Sequence, residues 1–322
     1  MLGLVVRRLL VAVVIAFLVA TLSFVLVHAA PGEPFSAFRE DQHVTPEMVQ
    51  KLREQYGLDK PLGVQYVRYI GSLARGDLGE SFLQRRQVSS VLGDALPNSL
   101  LLMATALVVA FALGVALGAL QAYRRGSLFD RTVGGVSLTL ASVPEYLLAI
   151  ALLLAFAYVL PIFPTGGMSD PVMWRFMSPM QRLTDVARHM ALPATTLVLI
   201  IASVVARYQR AALLDVLPDD FVRTAKAKGL SRGRVLMHAL RNALLPTITL
   251  IGLLFPALFG GAVFVENVFG WPGMGRTIVN ALVARDYPLI MGGVVIGSVF
   301  VVVGGLVADL AAMSADPRTR AA

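Results

Sequence analysis

Few residues of this sequence could do chemistry away from water, and the clearest of them is Glu145. It is the one acid near the middle of a long apolar run, next to Pro144, which leaves a backbone carbonyl without its helical partner. A carboxylate inside a membrane is costly and normally faces a cavity or a partner group. Two roles stay open for Glu145 and the nearby Ser142. They line a solute pathway, or they satisfy an arginine or an unwound turn of a neighbouring helix.

Other reactive side chains form no catalytic or metal-binding pattern. His28, His43, His189 and His238 lack the H-E-x-x-H spacing or a comparable one, and the chain has no cysteine. The sequence also lacks the G-x-x-x-x-G-K-[ST] loop with which many proteins bind the phosphates of a nucleotide. We predict no catalytic residue, no metal site and no cofactor bound by this chain. The absence of a Ser/His or paired-carboxylate constellation also disfavours an intramembrane enzyme.

A short charged segment between two apolar runs predicts a helix with a special role. Pro218 precedes it, two acids occupy its first turn, two lysines occupy its last, and Gly229 follows as its stop. Phe221, Ala225 and Lys228 fall at near-helical spacing and form a narrow face that another protein could approach closely. The alternative is a basic amphipathic helix that lies on anionic lipid.

The chain that carries these residues is unusually apolar. Of its 322 residues, 57% are hydrophobic and only 15% are charged, which is more apolar surface than one globular core could bury. The chain therefore belongs in a lipid bilayer. Its net charge of +8 would suit nucleic acid, but the positive residues follow the membrane topology instead, so no nucleic-acid partner is expected.

Six apolar runs are long enough to cross a bilayer as helices. They lie within residues 1–29 and at about 98–121, 132–160, 189–214, 243–265 and 289–310. Lysine and arginine are denser in the segments on the side of the N-terminus, which predicts that both termini are cytoplasmic. The first run is longer than the apolar core of a secretory signal, so we expect a retained helix.

The segment 30–97 has the composition of a soluble insert on the extracytoplasmic side. Thr45 can cap a helix that starts at Pro46, and Pro61 can start a second helix that ends before Gly76. Each helix carries an apolar stripe, formed by Met48, Leu52 and Tyr56 on the first and by Tyr66, Ile70 and Leu73 on the second. The insert is a cap packed on the membrane helices, or a docking surface for an extracytoplasmic partner.

The stretch Phe221–Leu230, followed by His238–Pro246, resembles the EAA-type cytoplasmic signature of ABC importer permeases, and in particular the dipeptide/oligopeptide/nickel permease family. Arg223 stands where the signature has a glutamate. Further blocks in the same order resemble this family, at Gly57–Gly79, Gly260–Gly275, Arg285–Pro288, and Asp309 with Asp316–Arg318.

The resemblance implies an all-α membrane protein of the type I ABC importer permease kind, with six transmembrane helices and a small extracytoplasmic insert between the first two. It divides the chain into residues 1–29 with the first helix, the insert 30–97, a permease core 98–312 and a cytoplasmic tail 313–322. A cytoplasmic coupling loop, 215–242, lies within the core. The expected location is the bacterial inner membrane.

The resemblance also implies partners. They are a second, homologous permease, two ATPase subunits that bind ATP and Mg²⁺, and an extracytoplasmic solute-binding protein. The expected ATPase-coupling residues are Asp220, Phe221, Val222, Arg223, Thr224, Ala225, Lys226, Ala227, Lys228, Gly229 and Leu230.

The implied function is ATP-driven import of di- and oligopeptides, with Glu145 available to meet the amino terminus of a peptide. Relatives that carry nickel chelates or glutathione, and a self-contained secondary transporter, are the alternatives. Structural roles are expected for other unusual residues inside or beside the spans. Glu266 and Asp309 lie at span ends, where they can pair with Arg276 or with cytoplasmic residues at little cost. The glycine pairs 260–261, 292–293 and 304–305 should let helices approach closely.

Overall fold

The computed structural model describes residues 2–31 and 46–315, and the chain is almost entirely helical in these ranges. Its elements in chain order are α1 (Leu2–Ala29), α2 (Pro46–Gln55), α3 (Leu62–Leu73), α4 (Val88–Tyr123), α5 (Leu128–Ser142), α6 (Glu145–Leu153) with a π-helical extension (Leu154–Val159), a 3-10 turn (Met173–Phe176), α7 (Pro179–Val216), α8 (Asp220–Ala227), α9 (Arg232–Val268), α10 (Met274–Ala284) and α11 (Tyr287–Ala315).

Several of these helices are suited to a bilayer. Within the described residues, α1, α4, α7 and α11 each contain a stretch that is long and apolar enough to cross it, and α5 with α6 makes a fifth crossing if the bent pair counts as one. The predicted run 243–265 lies inside α9. The chain is thus a helical protein with multiple apolar helices of membrane-spanning length.

The predicted single helix over 132–160 is instead two helices, bent by 104°. The break lies at Val143 and Pro144, which both have extended backbone conformations. Proline has no N–H to continue the helix, and its ring pushes the preceding residue out of the helical region. Glu145 therefore begins α6 instead of interrupting one long span.

Other helices extend beyond the predicted apolar runs. The helix α4 begins at Val88 instead of near 98, and α7 begins at Pro179 instead of near 189. The early start of α7 has a clear cause, because Ser178 and Gln181 form a reciprocal capping box around a proline in the first turn. The predicted helices of the insert are confirmed as α2 and α3, whereas Thr45 lies outside the described residues.

The contacts divide the chain into two units. The first comprises residues 1–98 and 273–302, and the second comprises 99–272 and 303–322. In the first unit, α3 packs on α1. The hydroxyls of Thr21 and Tyr66 lie 2.8 Å apart, and His28 lies 3.3 Å from the amide oxygen of Gln65. For this part of the insert, the packing favours a structure that covers the membrane helices over a docking surface for a partner.

A buried carboxylate joins the insert to α11 within the first unit. Asp286 is completely buried, and it accepts hydrogen bonds from the hydroxyl of Ser81 and from the backbone N–H groups of Phe82 and Leu83. It also accepts from the N–H of Leu289 in the first turn of α11, as a helix cap does. One side chain thereby fixes a loop and a helix start that are some 200 residues apart in sequence.

The second unit is built around α7. This helix packs against α5, α6 and α9, and its buried residues run from Leu192 to Leu213. Close approach to α4 depends on two glycines, because a Cβ on Gly114 would lie 2.6 Å from the Cβ of Val205 and one on Gly118 only 2.5 Å from a backbone oxygen of α7. This small-xxx-small spacing is typical of membrane helix pairs, and our sequence analysis missed it.

Of the predicted glycine contacts, one pair is confirmed. A Cβ on Gly292 would lie 2.6 Å from a methyl carbon of Val88, and one on Gly293 would lie 2.6 Å from Ile278. Gly305 has open space where its Cβ would be, so it mediates no close approach among the residues that the structure describes. The side chain of Asp309 and residues 316–322 lie outside the described part.

Candidate functional site: the short charged helix and the carboxylate at the helix break

The predicted coupling helix is present as α8, and its end explains Gly229. The N–H of Gly229 donates to the carbonyl of Lys226, and the N–H of Leu230 donates to that of Ala225. These two bonds define a Schellman motif, which needs a left-handed residue between them. Gly229 has φ +75°, a conformation that L side chains rarely adopt. The position therefore selects glycine through the backbone.

One face of α8 packs against other helices of the same chain. Val222 is completely buried, and Ala225 and Leu230 pack into the same apolar cluster. The cluster also holds residues from the ends of three long helices: Ala119 and Ala122 of α4, Leu213 of α7, and Val235, Ala239 and Ala243 of α9. An eight-residue helix is too short to be stable alone, so this cluster holds α8 in shape and in place.

The opposite face of α8 is largely exposed and carries one weak ion pair. Phe221 is 39% exposed, and Thr224 and Lys228 are exposed one and two turns further on. The ion pair, between Arg223 and Asp220 at 3.5 Å, joins two solvent-exposed side chains and adds little stability. The predicted face consisted of Phe221, Ala225 and Lys228. In the structure Ala225 packs into the buried cluster, and Thr224 lies on the exposed face instead.

Substitutions at Gly229 can distinguish an effect on this exposed surface from an effect of backbone strain. In the described part of the chain, nothing lies within 4 Å of the place where its Cβ would be, so there is room for a side chain to begin there. We expect Gly229→Asn to leave α8 intact, because asparagine tolerates the left-handed conformation, yet to reduce transport about tenfold by adding bulk to an exposed surface. Gly229→Ala, which adds strain and little bulk, is the matched control.

The measurement is solute uptake by proteoliposomes that contain the complete transporter, together with the amount of ATPase subunit that co-purifies. Full co-purification and full uptake in the Gly229→Asn protein would mean that this surface has no partner.

A polar network lies next to the α8 cluster in the second unit. Asp130 at the start of α5 receives two hydrogen bonds from Arg210 of α7, at 2.7 and 2.9 Å, and is 6% exposed. The amide of Gln121 donates to the carbonyl of Asp130, and the amide of Gln209 donates to that of Ala243 on α9. Buried, paired groups of this kind fix the relative positions of α4, α5, α7 and α9. Sequence analysis missed them because the partners are far apart in the chain.

The two predicted pathway residues flank the break between α5 and α6 but do not bond to each other. Ser142 is exposed, and its hydroxyl donates to the carbonyl of Leu138 at 2.9 Å. Glu145 is half-buried at the first position of α6, where the helix dipole favours a negative charge. One of its carboxylate oxygens is buried and has no hydrogen-bond partner in the described ranges. The carboxylate can thus accept a donor from a solute or a partner.

A second buried acid of the second unit is satisfied internally. Glu266 near the end of α9 is 1% exposed and accepts a hydrogen bond from the hydroxyl of Ser99 at 2.5 Å. This contact gives Glu266 a structural role, as predicted, although Ser99 was not among the expected partners. Among residues 2–31 and 46–315, no three His, Asp or Glu side chains converge as a metal site would require.

A short docked helix, long apolar helices and a broken span are features expected of a membrane transport protein. Two family models agree with this class. Residues 114–321 match the model of the binding-protein-dependent transport system inner membrane component, and residues 1–103 match the N-terminal model of the same membrane component. The chain belongs to this family. The resemblance to permeases of ABC importers is therefore confirmed, and the chain is a multi-pass membrane permease.

Curated relatives match over almost their whole length. The chain is 37% identical to the oligopeptide transport system permease protein AppB of Bacillus subtilis, with 98% of each chain covered. It is 38% identical to the di/tripeptide transport system permease protein DppB of Pseudomonas aeruginosa and 36% identical to the dipeptide transport system permease protein DppB of Escherichia coli K12, with 99% of each chain covered in both comparisons.

Proposed function

We propose that the chain is the permease subunit of an ATP-driven importer that carries di- and oligopeptides. One observation carries the proposal, which is that relatives named for oligopeptide, di/tripeptide and dipeptide transport match from end to end at 36–38% identity. A match of this extent includes the insert, the membrane helices and the loop between α7 and α9.

The proposed complex contains a second homologous permease, two ATPase subunits and an extracytoplasmic solute-binding protein. ATP and Mg²⁺ bind to the ATPase subunits, and this chain binds no cofactor. The proposed topology has six spans, of which α9 contains the fifth, and both termini lie in the cytoplasm. This topology places the loop 215–242 on the side of the membrane where ATP is available. The complex lies in the inner membrane, and the insert faces the solute-binding protein.

The outward face of α8, formed by Phe221, Thr224 and Lys228, is the proposed contact with an ATPase subunit. An aromatic side chain that is held exposed on a firmly docked helix is a suitable anchor, because it loses little conformational entropy on binding. The inward face transmits motion, since Val222 and Leu230 bind α8 to the ends of α4, α7 and α9. ATP-driven closure of the ATPases would move α8 and these helix ends together.

We expect Phe221→Ala to weaken the binding of the ATPase subunit about 30-fold, as loss of a central aromatic anchor does. Folding should be little affected, because Phe221 is not a member of the buried cluster around Val222 in the described residues. Affinity is measured by titrating the purified ATPase subunit onto the permease pair in nanodiscs. The control is Leu128→Ala, another exposed apolar residue on the proposed cytoplasmic side. Equal affinities for both variants and the wild type would contradict the assignment.

Glu145 and Ser142 are the proposed pathway residues. The break between α5 and α6 places a carboxylate with an unpartnered, buried oxygen at a helix start, and a peptide's amino terminus carries the complementary charge. Burial strengthens such a pairing because water competes less for either group.

The substitution Glu145→Gln keeps the shape of the side chain and removes its charge. We expect uptake of peptides with a free amino terminus to fall about tenfold, and uptake of amino-acetylated peptides to be unchanged, because only the former carry a charge for Glu145 to bind. Glu145→Asp should retain part of the selectivity. A Glu145→Gln protein with unaltered preference between the two kinds of peptide would remove the residue from the pathway.

A further inference from the structure

The first unit contains a partly open cavity of about 220 Å³ beside the extracytoplasmic end of α1. It lies among α1, α3, the turn after α2, the segment 77–82 and the start of α11. This space could hold a group as large as a big side chain. Its lining therefore decides what it could bind.

Six aromatic rings form a continuous wall of this cavity. Their neighbouring centroids lie 4.0–6.4 Å apart along the series Tyr69, Phe24, His28, Tyr287, Phe82 and Tyr56. Aromatic faces carry negative electrostatic potential and attract cations, and several faces around one space are the usual means of binding alkylated ammonium groups.

Acidic groups lie at the same cavity. Glu80 lines it, is half-buried, and has no hydrogen-bond or ion-pair partner in the described part of the chain. Partial burial raises the pKa of Tyr56 above its usual value. The charge of Glu80 raises it further, the charge of Arg85 lowers it, and the charge of the buried Asp286 raises it. Asp77 also lines the cavity and accepts a hydrogen bond from the N–H of Gly79 at 2.9 Å.

One arginine, Arg68, lines the cavity as well, but its guanidinium also interacts with a group outside the cavity. Its guanidinium lies over the turn at Gly57, where a Cβ would be 3.2 Å from the Nη1 atom. The pKa of Asp59 is lowered first by the hydrogen bond with Lys60, and the charge of Arg68 lowers it further. The cavity is lined by two acids, Asp77 and Glu80, and by one arginine, Arg68, whose charge also acts on Asp59. The negative charges outnumber the positive one, so the cavity favours a cation.

We propose that this cavity binds an organic ammonium group, with the aromatic wall against its alkyl carbons and Glu80 as its counter-ion. An anion would meet two carboxylates, and a neutral apolar group would leave Glu80 half-buried and unpaired. The ammonium group can belong to a soluble amine or to the headgroup of an aminolipid, since the cavity lies beside the end of a membrane-spanning helix.

The first test uses the full chain in nanodiscs of phosphatidylglycerol alone, which contain no amine. Binding of choline and of its neutral isostere, 3,3-dimethylbutanol, is measured by saturation-transfer NMR. We expect choline to bind at least about tenfold more tightly, because only choline carries the charge that the rings and Glu80 recognise. Equal affinities for the two ligands would overturn the proposal.

The second test removes the counter-ion. Glu80→Gln should weaken choline binding about tenfold and leave the weak binding of the isostere unchanged, which also shows that the cavity is still formed. Glu54→Gln, on the exposed side of α2 and outside the cavity, is the matched control and should change neither affinity. Choline binding that survives Glu80→Gln at full strength would overturn the proposal.

A third measurement distinguishes the sources of the ammonium group. If nanodiscs with phosphatidylethanolamine raise the apparent Kd for choline, the headgroup competes for the cavity, and the natural ligand is a lipid. An unchanged Kd assigns the cavity to a soluble amine. Because no step measures transport or ATPase binding, the result is independent of the proposed function.

Discussion

Val222→Asp is expected to detach α8 from the body of the permease and to abolish ATP-driven uptake. Val222 is completely buried in the cluster formed by the ends of α4, α7 and α9. An unpaired carboxylate at this position would cost on the order of 4 kcal/mol, which exceeds what an eight-residue helix can supply from its own hydrogen bonds. The detached segment would then lose its helical form while the long apolar helices stay inserted.

Trypsin provides a readout of this change that is independent of transport. The exposed Arg223, Lys226 and Lys228 are cleavage sites that a docked helix protects. In inside-out vesicles we expect cleavage in the Val222→Asp protein to be at least about tenfold faster than in the wild type. Thr224→Asp, on the outward face, adds the same charge without burying it and should leave the cleavage rate unchanged. Equal rates for Val222→Asp and Thr224→Asp would show that the cluster does not hold α8.

The substitution Asp286→Ala should destabilise the first unit more than any other single loss of an acid in it. It would leave the hydroxyl of Ser81 and three backbone N–H groups buried without an acceptor, at a cost on the order of 4 kcal/mol. Asp286→Asn keeps one carbonyl oxygen as an acceptor, so it should cost about half as much.

The matched control is Asp94→Ala. Asp94 and Arg86 form an ion pair at 2.7 Å, but both side chains are exposed, 69% and 48% respectively, and such pairs contribute less than about 1 kcal/mol. Unfolding of the three variants in mixed micelles, followed by circular dichroism as the denaturing detergent fraction rises, gives the comparison. A midpoint for Asp286→Ala equal to that of Asp94→Ala would contradict the structural role of the buried acid.

Local signals in the sequence predicted much of the fold. Pro218, the order of charges and Gly229 were enough to locate α8, because caps and the helix dipole depend on neighbouring residues alone. Apolar runs likewise located the long helices, since lipid requires continuous apolar length. The family resemblance added the partners and the coupling role, which no spacing of residues could supply.

Long-range geometry was not predictable in this way. Periodicity identified a face on α8 with Phe221 and Ala225, but only the packing reveals that Ala225 belongs to the buried side. Pro144 marked a discontinuity, yet the 104° bend depends on what the two helices pack against. The contacts of Asp130 with Arg210 and of Asp286 with Ser81 join residues 80 and 205 positions apart, and each of these charges has many candidate partners in the sequence.

The central claim is that the outward face of α8 receives the motion of an ATPase subunit. Because the natural chain has no cysteine, a single Phe221→Cys substitution gives a unique site for a short photo-crosslinker in the assembled transporter. We predict that this site captures an ATPase subunit, identified by mass spectrometry, whereas the same reagent at Leu128→Cys does not. Capture of lipid alone at position 221, in a complex that still transports peptide, would contradict the account.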